Sequence, residues 1–148
     1  MEVYACTSKS PLQLGTDIRK STMEELLSAC DVISLNCPLT PETHNLVNPH
    51  SLALMKTGAI LNNTGRGPLV DEEAVAEGLR NNILAAYGAD VTSTEPPSAD
   101  HPLLSAPNAY LTPHIAWATR EARLRLMDIC ERNIRAFLEG KPQNVVNP

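Results

Sequence analysis

The chain is poor in aromatics, in glycine and in basic charge, and each shortage excludes a class of function. One Phe, one Trp and three Tyr in 148 residues supply no row of platforms on which single-stranded nucleic acid could stack. A net charge of -5 gives no basic field to attract a phosphate backbone, so no nucleic-acid partner is expected. No apolar run approaches the roughly 20 residues that a membrane-spanning helix needs, so no membrane partner is expected. No basic stretch followed by an apolar core stands near residue 1, so no secretory signal is visible. The four cysteines, Cys6, Cys30, Cys37 and Cys130, form no Cys-x-x-Cys pair and no ligand spacing for a metal. A reduced, cytoplasmic protein without a metal site is the simplest expectation. Glycine is the most consequential shortage. The first of the seven is Gly15, which stands alone, and no Gly-x-Gly-x-x-Gly turn of the kind that cradles a dinucleotide diphosphate occurs anywhere.

What is present alternates between strand-like and helix-like segments. Residues 2–6 read as a short strand, and 7–20, polar and holding Pro11 and Gly15, as a loop. Ser21 and Glu24 have the spacing of a capping box, opening a helix to about Cys30 with Met23, Leu26, Leu27 and Cys30 on one stripe. Residues 31–36 form the next strand. Pro38 and Pro41 make 37–41 a loop, and Asn48-Pro49 starts a short helix. A strand at 58–62 is followed by a helix capped by Asp71 and running to about Asn81. Strands at 84–91 and 109–112 precede a long helix at 119–139, with Ala122, Leu126, Ile129, Cys130, Ile134, Phe137 and Leu138 on one face. Gly140 ends that helix and Pro142 prevents its return. Alternation with nearly continuous apolar strands predicts an α/β fold with a parallel sheet covered by helices on both faces.

Three signatures carry chemistry. Arg66 stands in Asn62-Asn63-Thr64-Gly65-Arg66-Gly67, followed by Pro68-Leu69-Val70-Asp71-Glu72. Glu95 stands in Asp90-Val91-Thr92-Ser93-Thr94-Glu95-Pro96-Pro97. His114 stands in Thr112-Pro113-His114-Ile115-Ala116-Trp117. A guanidinium can hold a carboxylate and polarise a carbonyl with a planar fork of donors. An imidazole can pass a proton near neutral pH, and a carboxylate can orient it and favour its protonated form. Read singly, each has an ordinary structural alternative: a surface arginine, a solvated glutamate, a loop histidine. His44, His50 and His101 take that ordinary reading. Asp90 ends an apolar strand, where an uncompensated charge is costly; the alternative to a site role is a cap for the loop that follows.

Together and in this order, the three signatures resemble the D-isomer-specific 2-hydroxyacid dehydrogenases, and the His-Ile-Ala-Trp variant resembles the glycerate dehydrogenases (hydroxypyruvate reductases) among them. The resemblance implies a Rossmann-type parallel sheet with helices on both faces. It implies that Arg66 binds the substrate carboxylate and carbonyl, that His114 donates a proton, and that Glu95 pairs with the histidine. It places Thr64, Gly65, Arg66, Asp90, His114 and Ala116 near an NAD or NADP cofactor. The loop containing Cys37, Pro38 and Thr43 would lie along its adenosine half, although that family usually has histidine at the position of Asn36. At the end of the first strand, Thr7 stands where an NAD-preferring enzyme has an aspartate for the ribose hydroxyls. Thr7 and Lys9 therefore tilt the cofactor expectation toward NADP; the alternative is that Lys9 is a solvated loop residue.

The first strand and glycine-rich turn of such a fold are absent, so the chain reads as a C-terminal fragment with little activity alone. Residues 1–118 would be a partial dinucleotide-binding domain, and 119–148 a helix and tail packing toward a missing substrate domain. The expected substrate is a small 2-keto or 2-hydroxy acid, and a homodimer through the nucleotide-binding domain is expected. Two rival readings are a dinucleotide-sensing corepressor of the same superfamily and a remnant that dimerises and binds nothing.

Overall fold

Residues of alternating burial place one face of a parallel sheet in the core, because successive strand side chains point to opposite sides. In the computed structural model, which describes residues 1–146, the sheet is built from β3 (Val32–Leu35), β4 (Ala59–Asn63), β5 (Leu84–Ala89) and β6 (Ala109–Leu111), adjacent in that order and all parallel. Ile33, Leu35, Leu61, Asn63, Tyr87 and Ala89 are buried on the inner face. Burial pushes the Tyr87 phenol above its ordinary pKa. Leu27 of α2 (Met23–Ala29), Leu52 of α3 (Pro49–Leu54), and Val75 and Leu79 of α4 (Glu72–Arg80) join that core. β1 (Val3–Ala5) and β2 (Ile18–Lys20) form a second, two-stranded parallel sheet. Two compact units result, Met1–Pro113 and His114–Pro148. The second contains α5 (Arg120–Leu138), whose N-cap Thr119 accepts a hydrogen bond from the Ala122 amide.

The parallel α/β architecture is as expected; several details differ. Residues 7–20 are not wholly loop. Pro11 begins a one-turn helix, α1 (Pro11–Leu14), behind the Ser10 cap, and Ile18–Lys20 is a strand held by main-chain bonds to β1. The capping box at α2 is shifted by one residue: Thr22 is the N-cap and Glu25 its reciprocal partner. Ser21 instead continues the β1 ladder through its amide, which donates to the Ala5 carbonyl. The expected single sheet is split, since among the described residues β1 pairs with β2 and β3 with β4, and no ladder joins β1 to β3. The expected helical cover is present on one face of the four-stranded sheet; Val32, Ile60 and Tyr110 on the other are exposed.

The cap assignment is testable by urea denaturation. Thr22→Ala removes an acceptor for the Glu25 amide and is expected to cost about 1 kcal/mol. Ser21→Ala removes a hydroxyl that is buried without a partner and is expected to change stability by less than about 0.5 kcal/mol. Equal losses from both would return the cap to Ser21.

Candidate functional site

Parallel strands that end together bring the loops after them to one side, and ligands of open α/β sheets bind there. The loop after β4 is shaped by Asn63, which is fully buried. Its side-chain oxygen accepts from the Gly65 amide at 3.1 Å, and its nitrogen donates to the Arg66 carbonyl at 2.8 Å. This turn holds Arg66 at the N-cap of a 3-10 turn, Gly67–Leu69, with the side chain exposed and one guanidinium nitrogen donating to the Gly65 carbonyl at 2.7 Å. Asn63 belongs to the arginine signature, yet sequence reasoning gave it no role.

Gly67 joins this loop to the one after β5. A Cβ at Gly67 would lie 2.1 Å from the Thr92 carbonyl carbon and 2.2 Å from the Ser93 nitrogen. Only a residue without a side chain allows that approach. The Arg66 segment therefore rests directly on the peptide that begins the Glu95 loop. Within that loop the Thr92 amide donates to Glu95 Oε1 at 3.2 Å, and the Thr92 hydroxyl donates to the Thr94 carbonyl at 2.8 Å. The structure thus brings Arg66 and Glu95 into adjoining segments of one unit. Asp90, buried at the end of β5, accepts from the Thr112 hydroxyl at 2.5 Å, which compensates its burial. Thr112, just beyond β6, is a further site-side residue that sequence reasoning passed over.

The cofactor candidates fall along two clefts. Thr64, Gly65 and Arg66 line one of about 670 Å³ together with Cys37 and Pro38. Thr7, two residues past β1, lines another of about 460 Å³ that also includes Cys37 and Pro38. Leu35 to Pro38 belong to both, so the clefts meet at the end of β3. Lys9 lines neither; its amide donates to Thr7 Oγ1 and its carbonyl accepts from Lys20 Nζ. Thr43 lines neither as well. Its hydroxyl donates to the Pro38 carbonyl at 2.7 Å and so ties the 37–43 loop together. Glu42 in that loop is exposed, and a hydrogen bond with Thr40 holds its carboxyl below the ordinary range.

His114 opens the second unit, with Ala116 two residues on, and both are exposed. Its φ of 53° lies in the left-handed region, where a non-glycine residue is strained. The Trp117 indole donates to the His114 carbonyl at 2.7 Å, and the Ala118 amide to the Ile115 carbonyl at 2.9 Å. Of the other histidines, His44 and His50 are exposed, whereas His101 is buried against Glu72.

These residues fit a dinucleotide over part of its length. Apolar walls at Leu35 and Pro38 suit flat rings, and Thr7, Thr64 and the main chain at Gly65 supply polar edges.

Residues 1–116 match the family described as D-isomer specific 2-hydroxyacid dehydrogenase, NAD binding domain. The chain is 49% identical over 139 residues to a hydroxypyruvate reductase of Blautia hydrogenotrophica, covering 94% of this chain and 43% of that protein. It is 46% identical over 126 residues to a glycerate dehydrogenase of Methylorubrum extorquens, covering 84% of this chain and 40% of that one. Among solved structures, an acyclic imino acid reductase in complex with NADPH and D-Arg superposes with a TM-score of 0.89 at 32% identity, over 99% of this chain and 46% of that one. The chain spans about two fifths of the length of the curated relatives it matches. A family match over 1–116, on a parallel sheet whose strand ends carry the Arg66 and Glu95 loops, places this chain in the D-isomer specific 2-hydroxyacid dehydrogenase family through its NAD-binding domain.

Proposed function

We propose that this chain forms the nucleotide-binding part, and supplies the catalytic side chains, of an NAD(P)-dependent oxidoreductase acting on small D-2-hydroxy acids and their 2-keto counterparts, with hydroxypyruvate and glycerate as the pair. The observation that carries the proposal is the seating of Gly67 on the Thr92–Ser93 peptide, which fixes a permanent cation and a carboxylate in adjoining loops. In the reducing direction, Arg66 holds the keto acid through its carboxylate and draws electron density toward the carbonyl oxygen. His114 gives a proton to that oxygen, and Glu95 orients the imidazole. The nicotinamide, when bound, supplies the hydride that reaches C2, so one hydride and one proton convert the ketone to the alcohol.

The cofactor would lie across both clefts, with Asp90 beside the nicotinamide and Thr7 beside the adenosine ribose. Among the described residues no acidic side chain lines the cleft at Thr7, which favours tolerance of a 2′-phosphate and hence NADP. A cytoplasmic setting accords with four free cysteines and with the lack, among the described residues, of a helix long and apolar enough to cross a membrane. A homodimer through the nucleotide-binding domain would cover apolar side chains such as Val32 and Ile60, which are exposed here.

The direct test is a chimera in which this chain replaces the matching region of the Blautia hydroxypyruvate reductase. It should oxidise NADH or NADPH in the presence of hydroxypyruvate, and a folded but inert chimera would reject the proposal. In it, Arg66→Lys keeps the charge and loses the planar fork. Losing one charge-assisted hydrogen bond should lower kcat/KM by about 10- to 100-fold.

Thr7→Asp in the same chimera should move the NADPH/NADH preference toward NADH by about tenfold, through repulsion of a 2′-phosphate. An unchanged ratio would remove Thr7 from the discriminating position.

His114→Ala should lower kcat by about 10²- to 10⁴-fold while leaving cofactor affinity largely intact. Glu95→Gln should lower it less, and the double variant should lose less than the two single losses combined, because both residues serve one proton transfer. Strictly multiplicative losses would separate Glu95 from the histidine.

A further inference from the structure

Glu72 is the first residue of α4, but its carboxylate serves another segment. It accepts from the Ser93 amide at 2.9 Å, from the Ser93 hydroxyl, and from His101 Nε2 at 3.0 Å. These partners lie 21 and 29 positions away in the chain. The Glu72 and His101 side chains are only 10% and 8% exposed. His101 Nδ1 accepts from the Leu103 amide, so the ring proton sits on Nε2 and points at the carboxylate. Three donors converge on a carboxylate that is almost out of solvent, and removing one partner leaves another stranded. Nothing in the proposed chemistry employs Glu72 or His101 directly.

The place they act on is the Thr92–Ser93 peptide. Gly67 presses on that peptide from the Arg66 loop, and Glu72 holds the Ser93 amide. The neighbouring Thr92 amide donates to Glu95. The geometry points to Glu72 and His101 as positioning residues that clamp this peptide against Gly67 and thereby hold Glu95 in register with Arg66. The assignment rests on the catalytic reading of Arg66 and Glu95, whereas the clamp itself is a property of the chain.

The variants follow from donor arithmetic. Glu72→Gln turns an acceptor into an amide donor facing the His101 proton. His101→Ala deletes a donor, and His101→Gln replaces it with an amide that can donate to Glu72. Amide hydrogen exchange in the 148-residue chain should show protection at Thr92, Ser93 and Glu95 falling at least about tenfold in Glu72→Gln and His101→Ala, with the Leu61 amide of the core unchanged. His101→Gln should restore most of it. In the chimera, the first two variants should lose kcat while the Kd for NADPH holds. Exchange that rises equally at Leu61, or stays unaltered at 92–95, would overturn the clamp and leave an ordinary buried pair. A wild-type kcat despite selective loosening would overturn the positioning role. An inert chimera, or wild-type kinetics in Arg66→Lys, would instead reject the catalytic reading and leave the exchange result standing.

Discussion

The tightest constraint in this chain is steric. Gly67 and the Thr92–Ser93 peptide occupy space that a single methyl group would contest. Two loops from neighbouring parallel strands can approach so closely only if one contributes bare backbone there. The approach also requires that the polar groups it buries find partners. Asn63 takes one amide and one carbonyl of the Arg66 loop. Glu72 takes the Ser93 amide, and the main chain of the following turn closes on itself as the Leu69 and Val70 amides donate to the Arg66 and Gly67 carbonyls.

That contact gives chemical meaning to the sheet order. β4 and β5 are adjacent and parallel, so the loops after them emerge side by side. An antiparallel neighbour would have sent its loop to the opposite end. The same geometry places Thr112, just past β6, within reach of Asp90, just past β5. A buried aspartate is costly unless hydrogen-bonded, and the hydroxyl that offsets the cost comes from the adjacent strand end. Local sequence explains neither pair, because in each case the partners are brought together by strand adjacency.

Much of this was legible from residue pattern. β4, α4 and α5 follow from apolar runs, the Asp71 cap and helical periodicity, and lie within a residue or two of expectation. The α2 cap was misplaced because Ser21 and Thr22 each have a glutamate three residues on; the β1–β2 ladder decides between them by engaging the Ser21 amide. β2 was missed because Ile18-Arg19-Lys20 is short and two-thirds charged, and its strand character comes from β1 rather than from propensity. Arg66 and Glu95 could be picked out because their signatures are contiguous. Glu72 and His101 could not, because each alone looks like a helix-start acid or a loop histidine. Only the fold closes the 29 positions between them.

His114 stands in a turn of its own. The Arg66 and Glu95 loops meet where Gly67 seats on the Thr92–Ser93 peptide, and the turn after His114 is closed by bonds within a few residues. Its left-handed φ costs of order 1–3 kcal/mol for a residue with a side chain, and the chain must hold it there. Trp117 does so through its indole bond to the His114 carbonyl, and the turn closed by Ala118 on Ile115 leads into the Thr119 cap of α5. Pro113, Trp117 and the capping Thr119 thus stand with the histidine in one stretch of seven residues. Bonds made locally leave a continuous motif, and the histidine stands in one. A constraint met across the sheet leaves scattered residues, and the carboxylate that clamps the Glu95 loop was the hardest to identify for that reason.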